Sequence, residues 1–188
     1  MKRVLCVHGW QDTPENDLFY QMRRVLEERG FQCHAPRFAY ADPRVSLDDM
    51  LRVIDAARPF TGMIGFSLGA RLALHARRDG EKLILLSTAF LSLRNVVKRL
   101  PLSALLPVFL GRPTCCHPSF RVLLSPPRLH GDDVLFHAWD DTLIPVSMAV
   151  HHASRARARL ILLKGGHFFK GDEKRLFSLL RSMLVEWE

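Results

Sequence analysis

The chain has 188 residues, of which 48% are hydrophobic and 24% charged, and its formal charge at pH 7 is +8. This length suffices for one domain with a substantial core, and the composition excludes disordered and fibrous classes. The 27 basic residues are spread along the chain without interleaved aromatic residues, so no nucleic-acid partner is expected.

Apolar runs are short throughout the sequence. The run from Val4 to Val7 is too short for the core of a signal peptide, and no run reaches the roughly 18 apolar residues of a membrane span. The cysteines are irregularly spaced and two are adjacent: Cys6, Cys33, Cys115 and Cys116. This usage is typical of free thiols in a reducing compartment, so we expect a cytoplasmic protein without a membrane span.

Short apolar segments alternate with longer segments of helical period along most of the chain. This alternation predicts an α/β fold in which helices cover both faces of a mainly parallel sheet, a three-layer sandwich. Six strands are predicted, over residues 3–8, 32–35, 61–66, 82–87, 133–139 and 159–163. Most lack polar alternation, as expected for strands buried on both faces.

The segments between the strands carry helix signals. Leu18, Met22, Val25 and Leu26 share one helix face, which Gly30 can end, and Ser46 with Asp49 can begin a second helix. Three more helices are predicted over residues 68–78, 146–154 and 173–187.

Residues 90–128 depart from this rhythm, because they contain six prolines and the apolar segment LPLSALLPVFL. Their position after the fourth predicted strand favours a helical insertion, or small lid, within a single domain spanning residues 1–188. A plain crossover helix with a long loop is the equally weighted alternative. The Cys115-Cys116 pair beside His117 lacks the separation usual between zinc ligands, so no metal site is expected.

The segment Gly65-Phe66-Ser67-Leu68-Gly69 joins a predicted strand to a predicted helix. Small residues two positions either side of a serine allow a sharp turn that exposes the hydroxyl as a nucleophile. The five residues alone are equally compatible with an ordinary tight turn. A catalytic serine also needs a base, and the base needs an orienting acid.

One of the nine histidines, His167, follows the last predicted strand in a loop with Gly165 and Gly166. The others fall mainly in predicted strands, helices or the segment 90–128, so His167 is the candidate base. Asp140 and Asp141 follow the preceding predicted strand, and one of them is the candidate acid. A helix cap is the structural alternative for either carboxylate.

Taken together, HGW at 8–10, GFSLG at 65–69, DTLIP at 141–145 and GGHF at 165–168 resemble the α/β-hydrolase superfamily over nearly the full chain. The resemblance implies a compact version of that fold with strand order 2-1-3-4-5-6. It selects Asp141 as the acid, because the acid commonly precedes a short run ending in Val-Pro or Ile-Pro. It also implies an oxyanion hole formed by the backbone N–H groups of Trp10 and Leu68.

The expected function is a cofactor-independent serine hydrolase that cleaves a small-molecule carboxylic ester or thioester. Ser67 would carry the acyl group, His167 would act as general base, and Asp141 would orient the histidine. Two alternatives remain: a catalytically silent binding protein, and a lyase or cofactor-free oxygenase on the same fold. The physiological substrate and the oligomeric state are left open by the sequence.

Overall fold

The computed structural model describes residues 2–10, 12–40, 42, 44–90 and 128–188. These residues form a sheet of six parallel strands in the order β2-β1-β3-β4-β5-β6. The strands are β1 (Lys2–Val7), β2 (Phe31–His34), β3 (Gly62–Phe66), β4 (Lys82–Leu86), β5 (Val134–Ala138) and β6 (Arg159–Leu163). The predicted fold class and strand order are confirmed, and the pairing in the described residues is entirely parallel.

The described residues also form five α-helices, of which the last follows β6: α1 (Asp17–Glu28), α2 (Leu47–Ala56), α3 (Leu68–Ala76), α4 (Val146–Ala156) and α5 (Glu173–Val185). The predicted start of α2 is present as a capping box, in which Ser46 accepts from the Asp49 N–H and Asp49 accepts from the Ser46 N–H. Helix α3 ends two residues earlier than predicted. Arg77 adopts extended backbone there and its guanidinium pairs with the buried Asp133.

The core has two parts, one on each face of the sheet. Phe19 and Met22 of α1 pack with Phe177 and Leu180 of α5 against one face. Helices α2, α3 and α4 cover the other face, with Ile54, Leu72 and Ala149 among the buried side chains. Successive β1 residues alternate between these two parts, since Val4 and Cys6 belong to the first and Leu5 and Val7 to the second. Helices therefore cover both faces, as predicted.

The chain runs from β1 outward to β2 and then returns to place β3 on the other side of β1. Parallel α/β sheets bind ligands at such a reversal, beyond the carboxyl ends of the strands. The described part of the chain contains no helix long and apolar enough to cross a membrane. The predicted insertion or lid lies outside the described residues, except for its ends, Phe90 and Arg128.

Candidate active site

Ser67 occupies the single residue between β3 and α3. Its backbone has φ of 53° and ψ of −117°, a conformation that non-glycine residues rarely adopt. Two backbone hydrogen bonds hold it, from the Ser67 N–H to the Leu86 carbonyl at 2.8 Å and from the Ala89 N–H to the Ser67 carbonyl at 3.2 Å. The turn leaves the Ser67 hydroxyl without a helix-capping role and places it at the carboxyl edge of the sheet.

The glycines around Ser67 allow the strand and the helix to approach closely. A Cβ atom at Gly65 would lie 2.4 Å from Ala70 Cα, and one at Gly69 would lie 2.2 Å from the carbonyl oxygens of Val7 and His8. Gly9 also lies against the turn, because a Cβ there would be 3.1 Å from Ser67 Cβ. The loop after β1 is therefore in direct contact with the serine.

His167 lies in a 3-10 turn (Gly166–Phe168) after β6, and its ring reaches Ser67. Its Nε2 is 2.9 Å from Ser67 Oγ and its Nδ1 is 2.7 Å from Asp141 Oδ2. A carboxylate only accepts hydrogen bonds, so Nδ1 carries the proton and Nε2 is left to accept from the hydroxyl. The structure thus brings Ser67, His167 and Asp141 into one chain of hydrogen bonds.

The Asp141 carboxylate is fully buried, and both of its oxygens are hydrogen-bonded. Oδ1 accepts from the N–H groups of Leu143 at 2.8 Å and Ile144 at 2.9 Å, while Oδ2 faces His167. Burial by itself would raise the pKa of Asp141, but the hydrogen bonds from His167 and the backbone outweigh burial, so the pKa lies below its ordinary value. The carboxylate is therefore charged and fixed beside the imidazole.

A second buried histidine, His137 on β5, supports the loop that contains Asp141. Its Nε2 donates to the Ile144 carbonyl at 2.9 Å and lies 3.8 Å from Asp141 Oδ2. Burial lowers the pKa of His137 and favours its neutral form. The negative charge of Asp141 is thus not neutralised by a second cation.

Two further side chains hold the backbone at His167 and at the two residues before it. The exposed Asp140 carboxylate accepts from the N–H groups of Gly165 at 3.2 Å and Gly166 at 3.0 Å. The buried Ser87 hydroxyl, directly after β4, donates to the His167 carbonyl at 2.8 Å. The two neighbouring aspartates therefore make different contacts, Asp141 to the ring and Asp140 to the preceding backbone.

His8 orders the loop that contains Trp10. Its Nε2 accepts from the Phe38 N–H at 2.8 Å, so its proton is on Nδ1, which donates to the Gly9 carbonyl at 2.9 Å. The C=O and N–H of a trans peptide point in opposite directions. By holding the Gly9 carbonyl, His8 fixes the direction of the Trp10 N–H. Burial lowers the pKa of His8 and so favours the neutral imidazole that this hydrogen-bond pattern requires.

Sequence reasoning missed the contributions of His8, Ser87 and His137. Ser87 directly follows an apolar strand at the same sheet edge as Ser67, and that position was a usable signal. The hydrogen bonds of His8 and His137 had no local signal, because they depend on partners that distant elements supply. Among the described residues, no group of three or more His, Cys, Asp or Glu side chains could hold a metal ion.

No family model and no curated protein sequence matches the chain. Solved structures do resemble it. A protein from Xanthomonas campestris pv. campestris, described as a hydrolase of the α/β superfamily, has a TM-score of 0.70 at 19% identity, with 99% of both chains covered. Mouse alpha/beta hydrolase domain-containing protein 10 has a TM-score of 0.75 at 16% identity, covering 99% of this chain and 90% of its own.

A monoacylglycerol lipase from Paleococcus ferrophilus has a TM-score of 0.72 at 15% identity, covering 99% of this chain and 95% of its own. Identities this low bear on architecture rather than on activity. The chain has the α/β-hydrolase fold, so the resemblance inferred from the sequence is confirmed at the level of the fold.

Proposed function

We propose that this protein is a serine hydrolase that cleaves a carboxylic ester or thioester through an acyl-enzyme on Ser67. The observation that carries the proposal is the hydrogen-bond chain from Ser67 Oγ through both nitrogens of His167 to Asp141, with distances of 2.9 and 2.7 Å. The strained backbone of Ser67 supports the same assignment, because strain of this kind concentrates at functional sites.

In the first half of the reaction, Ser67 Oγ attacks the carbonyl carbon while its proton moves to His167 Nε2. Asp141 stabilises the resulting imidazolium and holds the ring in the correct tautomer. The N–H groups of Leu68 and Trp10 are the proposed donors to the oxyanion, a contribution of about 2.7–4 kcal/mol for each donor. His167 then gives the proton to the departing alcohol or thiol.

In the second half, water attacks the acyl carbon while His167 takes a proton from the water. Collapse of the second tetrahedral intermediate releases the carboxylic acid and returns the proton to Ser67 Oγ. Each step moves one proton between oxygen or sulfur and the imidazole. The proposed residues are therefore sufficient for the cycle without a metal or an organic cofactor.

Apolar surface beside the site supports an acyl substrate. Phe168 is 44% exposed and packs edge-on against His167, with ring centroids 5.4 Å apart, and Trp10 is 37% exposed. These exposed rings would suit the acyl chain of an ester or thioester. The hydrogen-bonded set of Ser67, His167 and Asp141 favours catalysis over the silent-binding alternative.

Labelling with a fluorophosphonate tests the proposal, because the reagent phosphonylates an activated serine. We expect the native chain to be labelled on Ser67, and Ser67→Ala to lose labelling and nearly all hydrolysis of p-nitrophenyl esters and acyl thioesters. Ser154→Ala is the matched control, since Ser154 is exposed on α4 and should leave both readouts unchanged. Labelling that persists in a folded Ser67→Ala protein would contradict the proposal.

A further inference from the structure

Two cysteines from neighbouring strands contact each other on the face of the sheet covered by α1. Cys6 on β1 and Cys33 on β2 have their Sγ atoms 3.4 Å apart. Both thiols are free; Cys6 is buried and Cys33 is half-buried. A disulfide has an S–S bond of about 2.0 Å, so the two sulfurs must approach by about 1.4 Å. Val4 rather than Cys6 lies opposite Cys33 in the register of β1 and β2, so closure also requires a shift of one strand along the other.

The surroundings make Cys33 the more reactive of the two thiols. A hydrogen bond with Cys6 lowers the pKa of Cys33, and the nearby positive charge of Arg23 on α1 lowers it further. The same contact and complete burial raise the pKa of Cys6. Thiolates, rather than thiols, react with oxidants, so Cys33 would be oxidised first and Cys6 is positioned to react second.

Both strands lead directly into the hydrogen bond that orders the proposed oxyanion loop. Cys6 lies two residues before His8, and Cys33 lies five residues before Phe38. The Phe38 N–H donates to His8 Nε2 at 2.8 Å, and Tyr40 Oη donates to the His8 carbonyl at 2.8 Å. A relative shift of β1 and β2 would therefore reach the Gly9–Trp10 peptide through His8.

We propose that Cys6 and Cys33 form a redox modification site, which a peroxide converts into an intramolecular disulfide that slows acylation of Ser67. The Cys33 thiolate attacks a peroxide oxygen, which forms an S–O bond and yields a sulfenic acid, while the O–O bond breaks and the departing hydroxide takes up a proton to leave as water. Cys6 then attacks the Cys33 sulfur, and the hydroxyl group leaves as water. Two thiols and one hydrogen peroxide thus give one disulfide and two waters.

The effect on acylation rests on the proposed function, whereas formation of the disulfide does not. Loss of one oxyanion donor typically costs about 10²–10³ in turnover. Displacement of the Trp10 N–H, rather than its removal, is expected to slow labelling of Ser67 on the order of tenfold.

The first test is peptide mapping of the full chain after treatment with hydrogen peroxide and then iodoacetamide. Cys115→Ser and Cys116→Ser in the background remove the other two thiols. We expect the Cys6 and Cys33 peptides to be linked, two hydrogens lighter than the sum of their reduced forms, and to separate again with dithiothreitol. In Cys6→Ala, Cys33 should instead be trapped by dimedone as the sulfenic acid. Unlinked peptides, with both thiols still alkylated, would overturn the proposal.

The second test compares fluorophosphonate labelling rates of the reduced and oxidised protein in the same background. Cys33→Ser is the control for peroxide damage elsewhere, and peroxide should not change its rate. Equal rates for the reduced and the linked protein would overturn the effect on acylation. If even the reduced protein is unlabelled, the proposed function fails together with that effect, while the linked peptides still report on the thiol pair.

Discussion

At the scale of single residues, Ser67 combines a strained backbone conformation with fully paired backbone groups. A non-glycine residue at φ of 53° carries a cost of the order of 1–3 kcal/mol. The N–H and C=O of Ser67 are both hydrogen-bonded, to Leu86 and Ala89, so the strained peptide groups remain paired. The resulting turn directs the hydroxyl away from the helix backbone and toward His167.

We predict that Asp141 orients the His167 ring, whereas Asp140 supports the backbone of the loop just before it. Asp141→Asn should lower kcat by roughly 10⁴-fold, because an amide in that place favours the wrong imidazole tautomer, as in serine proteases. Asp140→Asn should have a much smaller effect, since one oxygen remains to accept from the Gly165 or the Gly166 N–H and neither bond involves the His167 ring. Steady-state kinetics on a p-nitrophenyl ester measures both variants. Equal losses in the two variants would contradict this division of roles.

His8 is predicted to act as a positioning residue for the Trp10 N–H. His8→Ala removes the bond to the Gly9 carbonyl and leaves the buried Phe38 N–H unpaired, at a cost of about 1–3 kcal/mol of stability. If the role is positioning, kcat should fall at least about tenfold while KM changes little.

Tyr40→Phe is the control for His8→Ala. This substitution removes the hydrogen bond from Tyr40 to the His8 carbonyl in the same loop, but it keeps the hydrogen bond from His8 to the Gly9 carbonyl. It should lose stability with a smaller change in kcat. A His8→Ala protein that is less stable but retains native kcat would assign His8 a purely structural role.

At the scale of elements, α3 can cross closely over the ends of β1 and β3 only because Gly65 and Gly69 have no Cβ atom. Gly69→Ala would place a Cβ atom 2.2 Å from two backbone oxygens, which cannot move without displacing β1. We expect a loss of about 3 kcal/mol of unfolding free energy, the upper part of the usual range for overpacking.

Gly131→Ala is the matched substitution, because its Cβ atom would meet the nearest backbone atoms at 3.6 and 3.7 Å. It should change the unfolding free energy by less than about 0.5 kcal/mol. Urea titrations of both variants, followed by circular dichroism, measure the difference. Similar stabilities would mean that α3 shifts to admit a side chain at position 69.

At the scale of the whole molecule, the residues that follow the last helix close the end of the sheet opposite the candidate site. Trp187 is 7% exposed, lies edge-on to Phe31 at 6.5 Å between ring centroids, and covers Gly62. Phe31 and Gly62 are the first residues of β2 and β3, whereas Ser67 and His8 follow the carboxyl ends of their strands. The packing around Trp187 and the candidate catalytic residues therefore lie at opposite ends of the sheet.

Trp187→Ala should lower the unfolding free energy by about 3 kcal/mol, because it opens a cavity beneath α5. Val185→Ala, at a position 52% exposed at the end of α5, should cost less than about 0.5 kcal/mol. Under conditions in which Trp187→Ala is folded, fluorophosphonate labelling of Ser67 should proceed at the native rate. A slower rate would indicate coupling between the two ends of the sheet.

The sequence by itself determined the order and position of the strands and the helices between them. Runs such as Leu83–Leu86 are apolar throughout because both of their faces are buried, and that requirement is visible within four residues. The start of α2 at Ser46 was equally local, since a capping box joins residues only three apart. The strands and helices could be predicted because their signals are short-range, whereas the strand order in the sheet was implied by the resemblance to the α/β-hydrolase superfamily.

The resemblance named Ser67, His167 and Asp141, but only the tertiary structure decided their distances and which other side chains support them. Ser67 and His167 are 100 residues apart, and the different contacts of Asp140 and Asp141 depend on where the loop after β6 returns to the sheet. The Cys6–Cys33 contact and the bond from Phe38 to His8 depend likewise on the pairing of β1 with β2. Local patterns do not encode distances of a few ångströms between separate elements, because packing of the whole core sets those distances.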